Sequence, residues 1–61
     1  MPEVTVKALS GRTIDQKRGL VKDITEALVK NFGAKAENVT IDIIEYSQEN
    51  KAKSGTLYID R

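Results

Sequence analysis

Two residues near the start of this chain have the types and positions to do chemistry, Pro2 and Arg12. An initiator Met is removed when the second residue is small, proline included. Removal would leave Pro2 as a secondary amine at the chain terminus. An α-amine ordinarily titrates at about 7.7–8.0, and a free proline amine higher. Apolar surroundings or a nearby cation disfavour the ammonium form and lower that value. A base poised near neutral pH suits removal of a proton next to a carbonyl. With Met1 attached, the same nitrogen is a tertiary amide and no base. Proline is about 5% of residues in proteins generally, so an ordinary chain start also accounts for it.

Arg12 lies in Gly11-Arg12-Thr13, between a strand-like stretch and a helix-like one. A guanidinium at that junction can hold a carboxylate through two parallel hydrogen bonds; a solvated arginine in a turn is the plainer reading. Lys51 is a third candidate. Near Pro2 it would disfavour protonation of the amine, elsewhere it would bind a carboxylate as a point charge, and otherwise it is a loop lysine in water. Asp42, Glu45 and Tyr46 complete the set; the Tyr46 hydroxyl could polarise a carbonyl, and burial at an interface is its plainer use.

Composition removes other chemistries. The 61 residues contain no Cys and no His. That excludes disulfides, thiol and imidazole catalysis, and Cys or His metal sites. Ten Lys and Arg stand against nine Asp and Glu, interspersed, with three aromatic residues in all. That balance lacks the basic stripe of a nucleic-acid binder. No apolar run approaches the roughly 20 residues of a membrane span, and no signal peptide is evident. One cytoplasmic domain over residues 1–61 is the expectation.

The elements that must position these residues follow from periodicity. Residues 3–9 alternate, Val4, Val6 and Ala8 against Glu3, Thr5, Lys7 and Leu9, which predicts a strand. Thr13-Ile14-Asp15-Gln16 fits a capping box. Leu20, Ile24, Ala27 and Leu28 recur at helical spacing, widened by Ile14 and Val21, with Lys17, Arg18, Lys22, Asp23, Glu26 and Lys30 on the polar side. Glu26 and Lys30 are spaced to pair. Gly33 suits the helix end, and Gly19, inside the helix, suggests a close backbone contact or nothing functional. Residues 39–46 alternate again and predict a second strand, which a helical crossover makes parallel to the first. Residues 47–55 read as a polar loop, and 56–59 as a β tail that adds to a neighbouring subunit's sheet edge. The fold class is α/β, one β-α-β unit.

These pieces together resemble the 4-oxalocrotonate tautomerase family. The resemblance rests on Met1-Pro2 with its alternating strand, Gly11-Arg12-Thr13, Asp15-Gln16-Lys17-Arg18, Leu20-Val21, Ile24-Thr25-Glu26-Ala27, and Val39 to Ile44 followed by Glu45. It implies a subunit that assembles as a hexamer, a trimer of dimers. It also implies that Pro2 is the general base and that Arg12 binds a substrate carboxylate or assists across a subunit boundary. No cofactor is implied. The expected function is tautomerisation of an enolisable 2-oxo or 2-hydroxy acid. The second half departs from the pattern. Thr40 stands where the best-characterised members carry another arginine, Asn50 is followed by Lys51 instead of an aromatic residue, and Ser54-Gly55 replaces a glycine pair. A dicarboxylate substrate fits less well for that reason. The alternatives are a tautomerase-fold oligomer without catalysis, or one subunit of a hetero-oligomer.

A chain of this mass, about 6.8 kDa, should expose roughly 3,950 Å² when folded alone and hide only about 60% of its unfolded surface. Without staples, so small a core calls for partner copies.

Overall fold

Strand β1 covers Glu3–Leu9, helix α1 Ile14–Phe32 and strand β2 Thr40–Tyr46 in the computed structural model, which describes residues 1–61. β1 and β2 pair in parallel, with Glu3 opposite Thr40, Val6 opposite Ile43 and Leu9 opposite Tyr46. The ladder runs past both strand ends: the Thr40 N–H donates to the Pro2 carbonyl (3.1 Å), and the Ser10 N–H to the Tyr46 carbonyl (2.8 Å).

The helix starts where the capping box places it. Thr13 Oγ1 accepts from the Gln16 N–H (3.1 Å), and Gln16 Oε1 accepts from the Thr13 N–H (2.9 Å). Both amides would otherwise lack partners at the first turn. The Thr13→Ala variant should lose about 1 kcal/mol of stability, read as a lower urea midpoint at unchanged slope. Gly33 ends the helix in the left-handed region, φ 68°, and its N–H reaches the Leu28 carbonyl.

Several expectations are corrected. β2 begins at Thr40 and not at residue 39, because the Val39 N–H closes a 3-10 turn over Ala36–Asn38 by donating to the Ala36 carbonyl. Glu26 and Lys30 do not pair; the ion pair on the exposed helix surface is Asp15–Arg18 (2.7 Å). Residues 47–55 are not a plain loop. A 3-10 turn, Gln48–Asn50, leads into a hairpin of β3 (Ala52–Lys53) and β4 (Thr56–Leu57). Ser54 and Gly55 join them with φ 54° and 80°, the two positive values that a tight primed hairpin turn needs. Thr56–Leu57 of the tail pairs with Ala52–Lys53 in its own chain, and the hairpin's outer edges carry no partner strand within one subunit. A Cβ on Gly19 would meet nothing within 4 Å in its own subunit, so no close backbone contact within one copy explains that glycine.

α1 covers the sheet face carrying Val4, Val6, Ala8, Ile41 and Ile43, all half-buried. Its inward stripe is Lys17, Val21, Ile24 and Leu28, while Ile14 and Leu20 remain exposed. The opposite sheet face has no helix. No residue is fully buried, and the surface is 4894 Å², against roughly 3,950 Å² for a monomer of this mass. The radius of gyration is 14.7 Å, where a compact chain of this length has about 10.5 Å. The molecule is a slab, 43 × 23 × 14 Å. Such a slab has half of a core: one apolar layer between α1 and the sheet, and an uncovered sheet face that carries Leu9, Ile44 and Tyr46 beside Glu3, Thr5, Lys7, Thr40 and Asp42.

Candidate functional site

Pro2 precedes β1 and is half-buried. Its carbonyl is held by the start of β2 through the Thr40 N–H, so the sheet fixes its position. Arg12 lies beyond the other end of β1. Six steps of strand at about 3.3 Å put some 20 Å between the two ends. Within one subunit Pro2 and Arg12 cannot touch the same small molecule.

Arg12 lines a cavity of about 330 Å³ between the helix and the sheet, with Gln16, Lys17 and Leu20 from the helix side and Val6, Ala8, Ile43 and Glu45 from the strands. The volume lies at the small end of ligand pockets. The strands supply Val6, Ala8 and Ile43 because alternation turns those positions toward α1. Ala8 faces Glu45 in the register, so the small side chain leaves room beside the carboxylate. Lys17 Nζ and Glu45 Oε1 form a 2.5 Å ion pair from helix to strand, each side chain 27% exposed. Gln16 is engaged by the Thr13 N–H. Arg12 alone among the charged groups of the cavity has no hydrogen bond or ion pair.

Lys51 lies elsewhere. Its ammonium is 5.4 Å from the Tyr46 ring centroid and 5.9 Å from that of Tyr58, with the Arg61 guanidinium 5.2 Å from the Tyr58 ring. The Tyr58 N–H also donates to the Lys51 carbonyl (2.8 Å). Cation–π contacts of this kind contribute about 0.5–1 kcal/mol each when exposed, and here they tie the hairpin to the end of β2. Tyr46, with Asp42 and Thr40, alternates onto the face away from the helix. Lys51 does not line the Arg12 cavity, and Pro2 lies beyond the opposite end of β1 from Arg12.

The side chain that sequence reasoning misplaced is Lys17. It belongs to the inward stripe and not to the polar side. The signal was its spacing, four residues before Val21 and seven before Ile24, overridden by its charge. Glu45 was among the candidates, but only the fold shows that it faces Lys17.

No helix is long and apolar enough to cross a membrane. Comparison with known proteins identifies the family of this parallel β-α-β subunit. The family model described as tautomerase enzyme matches residues 2–58. A relative from Bradyrhizobium diazoefficiens, named "probable tautomerase", is 48% identical over 61 residues, covering 100% of this chain and 91% of its own. The 2-hydroxymuconate tautomerase of Bacillus subtilis is 46% identical over 55 residues, covering 90% of this chain and 89% of its own. The crystal structure of YwhB, a 4-oxalocrotonate tautomerase homologue, superposes with a TM-score of 0.92 at 42% identity, covering 98% of each chain. This chain belongs to the tautomerase family and is an isomerase of the 4-oxalocrotonate tautomerase type.

Proposed function

We propose that this enzyme moves a proton within an enolisable 2-oxo or 2-hydroxy carboxylic acid, with Pro2 as the base and Arg12 as the carboxylate ligand. Once Met1 is removed, the Pro2 nitrogen takes the enol O–H proton. The electron pair left on oxygen forms the C2 carbonyl, and the enol double bond shifts its electrons to carbon. The prolyl ammonium then returns the proton to that carbon, so atoms and charge balance without a cofactor. Arg12 holds the acid through its carboxylate and opposes the negative charge that develops on the enolate.

The observation that carries this reading is the unpaired Arg12 guanidinium in a largely apolar cavity, in a chain of the tautomerase family. The separation of Pro2 from Arg12 in one subunit means that the complete site joins copies. The uncovered sheet face supports the same assembly, and a homohexamer, a trimer of dimers, is the form we propose. Lys51 enters the proposed site only as a contribution from a neighbouring copy.

The test of the ligand role is Arg12→Ala with two substrates. A charge-assisted hydrogen bond contributes about 1.5–3 kcal/mol. The variant should therefore lose roughly ten- to a hundredfold in kcat/KM on phenylenolpyruvate and much less on a neutral enolisable ketone. Equal losses on both would contradict the role of Arg12.

A further inference from the structure

We propose that Lys51 is a catalytic residue of the assembled site, stabilising the charge on the substrate's C2 oxygen, and that Tyr46 and Tyr58 position its ammonium. The inference rests on the proposed function and deepens it. Both tyrosines of the chain gather at one ammonium. Lys51 Nζ is 5.4 Å from the Tyr46 ring centroid and 5.9 Å from that of Tyr58, within the reach of a cation–π contact. No carboxylate pairs with it. The ion pairs of the structure are Lys17–Glu45 and Asp15–Arg18, and no side-chain hydrogen bond involves Lys51. Its backbone is held as well, through the Tyr58 N–H on the Lys51 carbonyl. Ring faces fix a cation without neutralising it, so this lysine has given up rotamer freedom before a ligand arrives and still carries its full charge.

Its place in the assembly follows from symmetry. Leu9 and Tyr46 face each other at one end of the sheet, and Pro2 meets Thr40 at the other. Arg12 and Lys51 therefore belong to the same end, Arg12 on the helix side and Lys51 beside Tyr46. The outer edges of β1 and β2 have no strand partner. Two copies joined edge to edge about a two-fold axis normal to the sheet run antiparallel, with both helices on one side. That pairing brings the Pro2 end of each copy to the end of the other that carries Lys51, and it leaves the uncovered faces together for further copies.

The two cations suit different groups. The planar guanidinium of Arg12 matches both oxygens of a carboxylate. An ammonium is a compact point charge and suits a single oxygen. The oxygen that gains charge as Pro2 removes the enol proton is the one on C2. Lys51 donates a hydrogen bond to that oxygen and keeps its own proton, so the balance of the reaction is unchanged.

The test begins with the unaltered, processed assembly, its lysines labelled with carbon-13. Phenylpyruvate has a carboxylate and a C2 oxygen; 3-phenylpropionate has the carboxylate alone. Phenylpyruvate should shift the Lys51 Cε signal and 3-phenylpropionate should leave it in place, while both move the Arg12 Nε–H. Turnover gives the second reading. Lys51→Met keeps the stem and removes the charge. It should lower kcat about tenfold with KM little changed, less than the roughly 10²–10³ of an enclosed donor because Lys51 is exposed. The loss should be equal on phenylenolpyruvate and on a neutral enolisable ketone, since both carry the reacting oxygen. Tyr58→Leu should lower kcat about threefold, and Tyr58→Phe, which keeps the ring face, should recover it.

The proposal is overturned if phenylpyruvate leaves Lys51 unmoved, or if 3-phenylpropionate shifts it as far. It is equally overturned if Lys51→Met keeps the unaltered kcat, or loses activity on the acid alone, which would make Lys51 a carboxylate ligand. The comparison of the two acids stands even where a variant fails to fold. A failure of the proposed function looks different: turnover survives Pro2→Ala, and neither acid moves Arg12.

Discussion

Preparations of this protein that retain Met1 should lose about 10²–10⁴-fold in turnover of phenylenolpyruvate relative to processed protein. That is the usual contribution of a positioned acid–base group. An attached Met1 turns the Pro2 nitrogen into an amide, whose lone pair is delocalised into the carbonyl and accepts no proton near neutral pH. The change leaves every side chain of the fold in place. Pro2→Ala should fall less far, nearer the lower end of that range. After Met1 removal, alanine still presents an amine, but a primary one without the ring that fixes the lone pair against the start of β1. Mass spectrometry of each preparation, paired with its kcat/KM, checks both expectations. Nitrogen-15 NMR of residue 2 against pH supplies an independent reading: a titrating amine in processed protein and none with Met1 attached. Unchanged turnover in Pro2→Ala, with assembly intact, would remove Pro2 from the mechanism.

The second large effect concerns assembly. Ile44 lies on the uncovered sheet face, 42% exposed, directly opposite Lys7 in the parallel register. An Ile44→Lys substitution places like charges across the ladder and removes one of the three apolar side chains of that face, Leu9, Ile44 and Tyr46. One copy exposes about 900 Å² more than a monomer of its mass should, close to the roughly 800 Å² per partner of a standard interface. No residue is buried within one copy, so a subunit that cannot cover this face has little to hold its helix on its sheet. Sedimentation at micromolar concentration should show about six subunits for the unaltered protein and small species for Ile44→Lys. The far-ultraviolet circular dichroism of the variant should also lose helix. A folded, monomeric Ile44→Lys would show that half of a core suffices, and the assembly argument would fail.

Much of the framework was legible from short-range chemistry. Thr13 and Gln16 announce the start of the helix because a capping box needs only residues three apart. Gly33 marks its end because the left-handed conformation there favours glycine. The two strands are visible in their alternation, and a helix between them makes the pair parallel. The hairpin of β3 and β4 was not legible. Two-residue strands carry too little alternation to register, although Ser54-Gly55 was a turn signal in retrospect.

The sequence by itself determined the β-α-β order, the absence of thiol and imidazole chemistry, the Pro2 and Arg12 candidates and the family they resemble, since each depends on residue type and local spacing. Tertiary structure decided which of those residues meet. Pro2 and Arg12 fall at opposite ends of one sheet, Lys51 is taken up by Tyr46 and Tyr58, and Lys17 turns inward to Glu45, 28 positions away in the chain. Neither residue type nor spacing encodes a contact over that separation; the parallel register and the docking of α1 on the sheet create it.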